Sequence, residues 1–206
     1  MNSKLNSSKI AAIIIAAGES SRLKGIIKQL IPWKKKPLIL NVIHLAMENG
    51  LTPIYVILGA NSEKIIPVIN KLPIKIIQNP DWKEGKGTSI SLGIRSLPKK
   101  TRATMIFVVD QPFLSSELIQ MIKGSFNNDD AVDIIAPYVG EIQANPVLFS
   151  QSTFTDLCNL KNKRGGKDLF TRFRVKKIQW TDKKILTDID TINDYLSLSS
   201  SSNLPE

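Results

Sequence analysis

The run Ile10-Ala11-Ala12-Ile13-Ile14-Ile15-Ala16-Ala17 constrains this chain most. It contains no polar residue and no alternation, so a strand made from it must be covered on both faces. It is far shorter than the ~20 apolar residues a membrane span needs. It stops abruptly at Gly18-Glu19-Ser20-Ser21-Arg22, a stretch of small and polar residues. A doubly buried strand that gives way to a polar glycine loop opens a parallel α/β sheet, and ligands of such sheets sit beyond the carboxyl ends of the strands.

The rest of the chain keeps this alternation. Further strands are expected at Pro53–Leu58, Ile74–Ile77, Thr104–Val109, Asp133–Ala136, Val147–Phe149, Val175–Gln179 and Ile185–Asp188. Helices are expected at Leu38–Asn49, Ser62–Lys71, Thr88–Leu97 capped by Thr88, Ser115–Lys123, Ser152–Leu160, Lys167–Phe173 and Thr191–Leu198. The fold class is α/β, with a mostly parallel sheet between two helical layers. A length of 206 residues suits one domain, read as 10–196 between a flexible N-terminus at 1–9 and a flexible Ser-rich tail at 197–206. Ala136–Asn145 lacks helical periodicity and begins at a strand end, so it reads as an excursion on the substrate side.

Charge points to an anionic partner. Lys and Arg total 28 against 18 Asp and Glu, a formal net charge of +10. Residues 161–184 hold ten basic side chains and two acidic ones, and a second cluster comprises Arg22, Lys24, Lys28, Lys34, Lys35 and Lys36. A solvated lysine-rich surface accounts for many of these equally well. No RNA-binding motif accompanies them, so nucleic acid is an unfavoured partner. The single cysteine, Cys158, cannot form an internal disulfide, and no leader is convincing. The expected location is cytoplasmic, with no membrane partner.

The glycine loop carries the first chemistry. Ala16, Ala17, Gly18, Ser20, Ser21 and Gly25 let a phosphate chain approach the backbone, and Arg22 and Lys28 supply positive charge. Neither G-x-G-x-x-G nor G-x-x-x-x-G-K-[ST] is present, so this is neither a dinucleotide fingerprint nor a P-loop. A plain strand-to-helix turn with surface charges is the rival reading.

The loop resembles the opening of the nucleotidyltransferase family that activates the molybdenum cofactor. Four further segments resemble that family in the same order. They are Asn79-Pro80-Asp81-Trp82-Lys83-Glu84-Gly85 with Thr88-Ser89-Ile90, then Val109-Asp110-Gln111-Pro112, Asn145-Pro146-Val147-Leu148-Phe149, and Asp188-Ile189-Asp190-Thr191-Ile192-Asn193-Asp194-Tyr195. The first and second of these resemble the molybdopterin cytidylyltransferase branch more than the guanylyltransferase branch. The resemblance implies a Rossmann-like three-layer nucleotidyltransferase fold. It implies transfer of a nucleoside monophosphate from CTP or another nucleoside triphosphate to a phosphorylated pterin, with Mg²⁺ as cofactor. A molybdoenzyme or its maturation chaperone would then be a further partner.

On that reading Arg22, Lys28 and Asp110 are catalytic. Asp110, at a strand's carboxyl end, would hold Mg²⁺, against the rival of a turn-capping aspartate. Asp188 and Asp190, two apart, fall on one side of an extended segment and invite a cation between them. Spacing does not choose between them as metal ligand, and Asp190 could equally cap the helix that follows. Gly59, Asn79, Gly85 and Ser89 are expected around base and ribose, with Trp82 anchoring their loop. Asn145, Arg164 and Lys167 are expected at the acceptor; Asn145 stands where the family often has a histidine. His44, Cys158, Phe170 and Phe173 read as structural or surface residues. Competing functions are a nucleotidyltransferase using GTP or acting on a sugar- or alcohol-phosphate, and a non-catalytic nucleotide-binding chaperone for molybdoenzyme maturation.

Overall fold

The computed structural model describes residues 10–23, 25–127, 129, 131–161 and 165–201. β1 (Ile10–Ala16) is followed by a small hairpin, β2 (Pro32–Trp33) and β3 (Lys36–Pro37), and by α1 (Leu38–Glu48). Then come β4 (Ile54–Leu58), α2 (Ser62–Ile69), β5 (Lys75–Gln78), α3 (Lys86–Arg95), β6 (Ala103–Val108) and α4 (Ser116–Asn127). The C-terminal part holds β7 (Ile134–Val139), β8 (Ile142–Gln143), β9 (Val147–Ser150), α5 (Phe154–Cys158), β10 (Val175–Gln179) and α6 (Ile192–Ser201).

The main sheet runs β5-β4-β1-β6-β9-β7-β10, with β8 paired on β7. β1 lies parallel to β4 and to β6, β4 parallel to β5, and β10 parallel to β7; β9 is antiparallel to both its neighbours. The sheet divides the core in two. Ala12, Ile14 and Ala16 of β1 face a cluster shared with Ile39 and Ile43 of α1, Ile65 of α2 and Leu118 of α4. Ile13 faces the other way, toward Ile90 and Ile94 of α3 and Leu157 of α5. Each face of β1 is therefore covered, as its unbroken apolar run requires. The parallel arrangement delivers Ala16, Leu58, Gln78 and Val108, the last residues of four strands, to one rim.

Three expectations are corrected. Ile185–Asp188 is not a strand: Lys183–Leu186 form a 3-10 turn whose cap, Asp182, accepts from the Lys184 amide at 3.0 Å. The turn buries Ile185 alone of its four residues. α3 begins at Lys86 and not after Thr88, because the Thr88 hydroxyl donates back to the Gly85 carbonyl at 2.8 Å. Lys167–Phe173 is met by a 3-10 helix over Gly165–Thr171. α6 runs on to Ser201, into the Ser-rich segment. It starts with a reciprocal cap in which Asp194 Oδ2 accepts from the Thr191 amide at 2.7 Å and Thr191 Oγ1 accepts from the Asp194 amide at 3.2 Å.

Candidate active site

The loop after β1 is held by a side chain from downstream. Buried Gln29 donates from Nε2 to the Ala16 carbonyl at 2.8 Å and the Gly18 carbonyl at 3.1 Å. The Lys28 amide donates to Ser20 Oγ at 3.2 Å, and Ser20 takes a positive φ of 60° to reach it. Ala16, Gly18, Ser20, Lys28, Gln29 and Asp110 thereby enclose a cavity of ≈ 90 Å³. Gly18 is exposed, and a Cβ built on it meets no atom within 4 Å. Open space over a strand-end glycine is what a phosphate chain needs. Ser21 and Arg22 begin a short 3-10 turn, and Gly25 closes the loop with a φ of 90°.

Lys28 is the hub of the charges. Its ammonium donates to Asp190 Oδ1 at 2.6 Å and to Asp110 Oδ2 at 3.2 Å. Arg22 Nη2 lies 2.9 Å from the other Asp190 oxygen. Partial burial would push the Asp190 carboxyl up. The hydrogen bond and charge of Lys28, helped by Arg22, outweigh this and hold it below its ordinary value. Both Asp190 oxygens are thus occupied by cations.

Asp188 differs. Its Oδ1 accepts from Gln111 Nε2 at 2.9 Å, and among the described residues no ion pair reaches it. Asp188 is exposed as a residue, yet the protein around its carboxyl, reinforced by the charges of Asp110 and Asp190, pushes it up against the Gln111 hydrogen bond. The backbone sets this geometry: the Ile189 amide donates to the Asp110 carbonyl at 2.9 Å, laying the Asp188-Ile189-Asp190 segment across the end of β6. Among the described residues no three His, Cys, Asp or Glu converge as a metal site on their own. Asp110 and Asp188 nevertheless fit a Mg²⁺-like ion, which takes one or two carboxylates and completes its shell with phosphate oxygens and water. Asp188 is a carboxylate short of positive charge. Asp190 is not.

A larger cleft of ≈ 490 Å³ opens on the other flank of Asp188. Ile90, Ile106, Val147 and Phe149 line it with apolar surface, and Lys86, Gln143, Asn145, Lys167 and Asp188 give it a polar rim. Gln143 and Asn145 come from the segment expected on the substrate side. Arg164 lies outside the described residues. Lys86, the first residue of α3, is exposed to the cleft, yet protein walls surround its ammonium. That desolvation lowers its pKa, partly opposed by Asp110 and Asp188 and reinforced by Lys167 and Lys28.

Two expected nucleotide contacts are turned inward. Asn79 and Ser89 are buried, and Asn79 Nδ2 donates to Ser89 Oγ and Thr88 Oγ1, each at 2.9 Å. They tie the end of β5 to α3 and present almost no surface to a base. Gly85 precedes α3 with a φ of 128°, a conformation suited to glycine, and so aims Lys86. Gly59 lies under Trp82: a Cβ there would stand 2.6 Å from the Ala17 carbonyl oxygen and from Trp82 Cβ. Trp82 therefore anchors the loop, as expected. Phe170 packs edge-on to Phe149 at 6.4 Å, and the basic stretch is partly neutralised by Arg172–Asp156 and Arg174–Asp133 pairs. Gln29, Gln111 and Lys86 were not singled out in the sequence. Gln111 stood inside a matching motif and Gln29 directly after Lys28, whereas Lys86 was one lysine among many.

A glycine loop, two cations and a group of carboxylates on one rim of an α/β sheet suit a nucleotidyltransferase, and that is the class of this protein. The chain belongs to the family of MobA-like NTP transferase domains, whose model matches residues 12–178. It is 27% identical over 190 residues to the molybdenum cofactor cytidylyltransferase of Escherichia coli K12, covering 92% of this chain and 95% of that one. It is 23% identical over 197 residues to the nicotine blue oxidoreductase of Paenarthrobacter nicotinovorans, covering 92% and 96%. The fold matches that of Rv0371c from Mycobacterium tuberculosis H37Rv with a TM-score of 0.83 at 20% identity, over 94% of this chain and 99% of that one. A manganese complex of that protein matches with a TM-score of 0.77 at 19% identity, over 94% and 99%. Among the described residues no helix is long and apolar enough to cross a membrane.

Proposed function

We propose that the protein transfers CMP from CTP to the terminal phosphate of molybdopterin, free or carrying metal, and releases pyrophosphate. One observation carries the reading: Lys28 and Asp110 line a small cavity under the glycine loop, Asp188 lines a larger cleft with apolar walls, and the Ile189 amide bound to the Asp110 carbonyl joins the two. Two reactants can meet there from opposite sides. CTP and the pterin are taken from the 27% identical Escherichia coli cytidylyltransferase.

The acceptor phosphate is already anionic, so no general base is required. One of its oxygens attacks the α-phosphorus, and the bond from that phosphorus to the bridging oxygen breaks, leaving its electron pair on pyrophosphate. The protein's part is to orient both phosphates and neutralise the growing charge. The loop amides and Ser20 cradle the triphosphate. Arg22 and Lys28 leave Asp190 for its oxygens. Asp110 and Asp188 would hold Mg²⁺, which supplies charge stabilisation to the reacting phosphates. The product would pass to a molybdoenzyme or its maturation chaperone.

The test is a panel of the four nucleoside triphosphates with Mg²⁺ and metal-bearing molybdopterin, read as pyrophosphate. CTP should be used best, and only with acceptor present. Equal or better use of GTP would move the protein to the guanylyltransferase side. Release that needs no pterin would dismiss the acceptor.

A further inference from the structure

The larger cleft contains a pair of lysines that the transfer chemistry leaves unused. Lys86 enters from the start of α3, and Lys167 from a second, adjoining wall, the 3-10 helix Gly165–Thr171, where a Cβ on Gly165 would stand 3.6 Å from Ile90 of α3. The second wall is pressed close: a Cβ on Gly166 would stand 3.1 Å from Phe149 Cζ. Each ammonium lies within electrostatic reach of the other, and among the described residues neither forms an ion pair. Two like charges brought together without a contacting carboxylate raise the energy of the empty cleft, and an anion between them relieves it. Beneath them lies apolar surface from Ile90, Val147 and Phe149. On the side facing the triphosphate stand Asp110 and Asp188, close enough to act on the Lys86 charge.

We propose that Lys86 and Lys167 form a two-lysine clamp for the phosphomonoester of the acceptor, and that Lys86 is the specificity-determining member that presents this phosphate to the Asp110–Asp188 pair. The inference rests on the acceptor occupying the larger cleft. To the phosphate acceptor already proposed it adds the residue that presents it, Lys86. An alcohol acceptor of the same shape would leave both cations without a counter-charge, and a carboxylate would supply one charge where a phosphomonoester supplies two. Lys28 serves the triphosphate from the other side of the carboxylates, so the two functions are separable by substitution.

Pyridoxal 5′-phosphate tests this on the full chain without nucleotide or pterin. It is an aromatic phosphomonoester whose aldehyde condenses with a nearby lysine, losing water; borohydride reduces the imine, and peptide mapping locates it. Pyridoxal, which lacks the phosphate, is the control. Lys86 and Lys167 should be labelled at least tenfold faster by the phosphate form, and orthophosphate should protect them. Surface lysines such as Lys34 and Lys99 should react alike with both reagents. In Lys86→Met the preference at Lys167 should vanish, and in Lys86→Arg it should persist. With CTP and molybdopterin, Lys86→Met should raise the acceptor KM at least tenfold and leave the CTP KM unchanged. Labelling of Lys86 no faster with phosphate than without, or an undiminished preference at Lys167 in Lys86→Met, overturns the clamp. A selective clamp in a protein that uses neither CTP nor pterin would overturn only the proposed substrates.

Discussion

Lys28 Nζ and Asp190 Oδ1 meet at 2.6 Å although 162 residues separate them in sequence. The contact joins the loop after β1 to the segment before α6, at opposite ends of the domain. Arg22 closes on the second Asp190 oxygen at 2.9 Å, so one carboxylate holds both cations that a triphosphate would recruit. Lys28 is the more enclosed of the two, with a side chain 14% exposed against 67% for Arg22. On the proposed function Asp190 would serve as a positioning residue, keeping both cations at the rim until phosphate oxygens replace it.

Asp190→Asn should lower kcat on the order of 10–100-fold, because an amide cannot hold two cations in place and small misplacements are costly in this kind of chemistry. The rise in Tm caused by Mg²⁺ should persist, since neither Asp190 oxygen is available to a metal. Thermal melts with and without Mg²⁺ check this. Loss of the metal-induced rise with near-normal kcat would make Asp190 a metal ligand.

Asp188→Asn should do the reverse. The Asp188 carboxyl is raised by burial and by Asp110 and Asp190, so at neutral pH its charge costs stability in the folded state. An asparagine removes that cost. The variant should melt higher than wild type at neutral pH, and the difference should shrink as pH falls through the raised carboxyl value and disappear below the ordinary value, where the folded and unfolded states are both protonated. Turnover and the Mg²⁺-induced rise in Tm should be lost. A lower Tm at neutral pH would contradict the unneutralised carboxylate.

Much of this was legible from β1 alone. Its doubly apolar run demanded a covered parallel strand, and Gly18 marked where a ligand could approach. The meeting of Asp110, Lys28 and Arg22 at one rim was legible because strand ends and glycine loops of this architecture converge there. The division of labour between Asp188 and Asp190 was not. Both sit on one side of Ile189, and only the long-range contacts of Gln111 with one and Lys28 with the other separate them. Asn79 and Ser89 misled because polar residues near a strand end serve equally to pin the next helix. Lys86 was hidden by a surplus of lysine, and its place in the cleft depends on the backbone at Gly85.

Asp110→Ala should abolish turnover and change Tm little, because its carboxylate is solvent-accessible and its bond to Lys28 is duplicated by Asp190. Pyrophosphate assays and melts check both halves. Turnover near the wild-type rate would remove Asp110 from the metal site.

Gly18 and Gly59 predict opposite behaviour from the same substitution. An alanine at Gly59 would put its Cβ 2.6 Å from the Ala17 carbonyl oxygen and 2.6 Å from Trp82 Cβ. Neither can yield cheaply: that carbonyl accepts from the Ala60 amide at 3.1 Å, and Trp82 is met at the root of its side chain. Gly59→Ala should cost roughly 1–3 kcal/mol of stability, a fall in Tm of about 2–4 °C per kcal/mol for a chain of this size. Gly18→Ala meets nothing within 4 Å and should leave Tm unchanged. Its Cβ would, however, fill the space over the loop amides, so the KM for CTP should rise at least tenfold and the acceptor KM should stay put. Melting curves and CTP titrations of the two variants separate the roles. A Gly18→Ala enzyme with a normal KM would place the triphosphate elsewhere, and a Gly59→Ala protein as stable as wild type would mean that Trp82 is not the anchor of its loop.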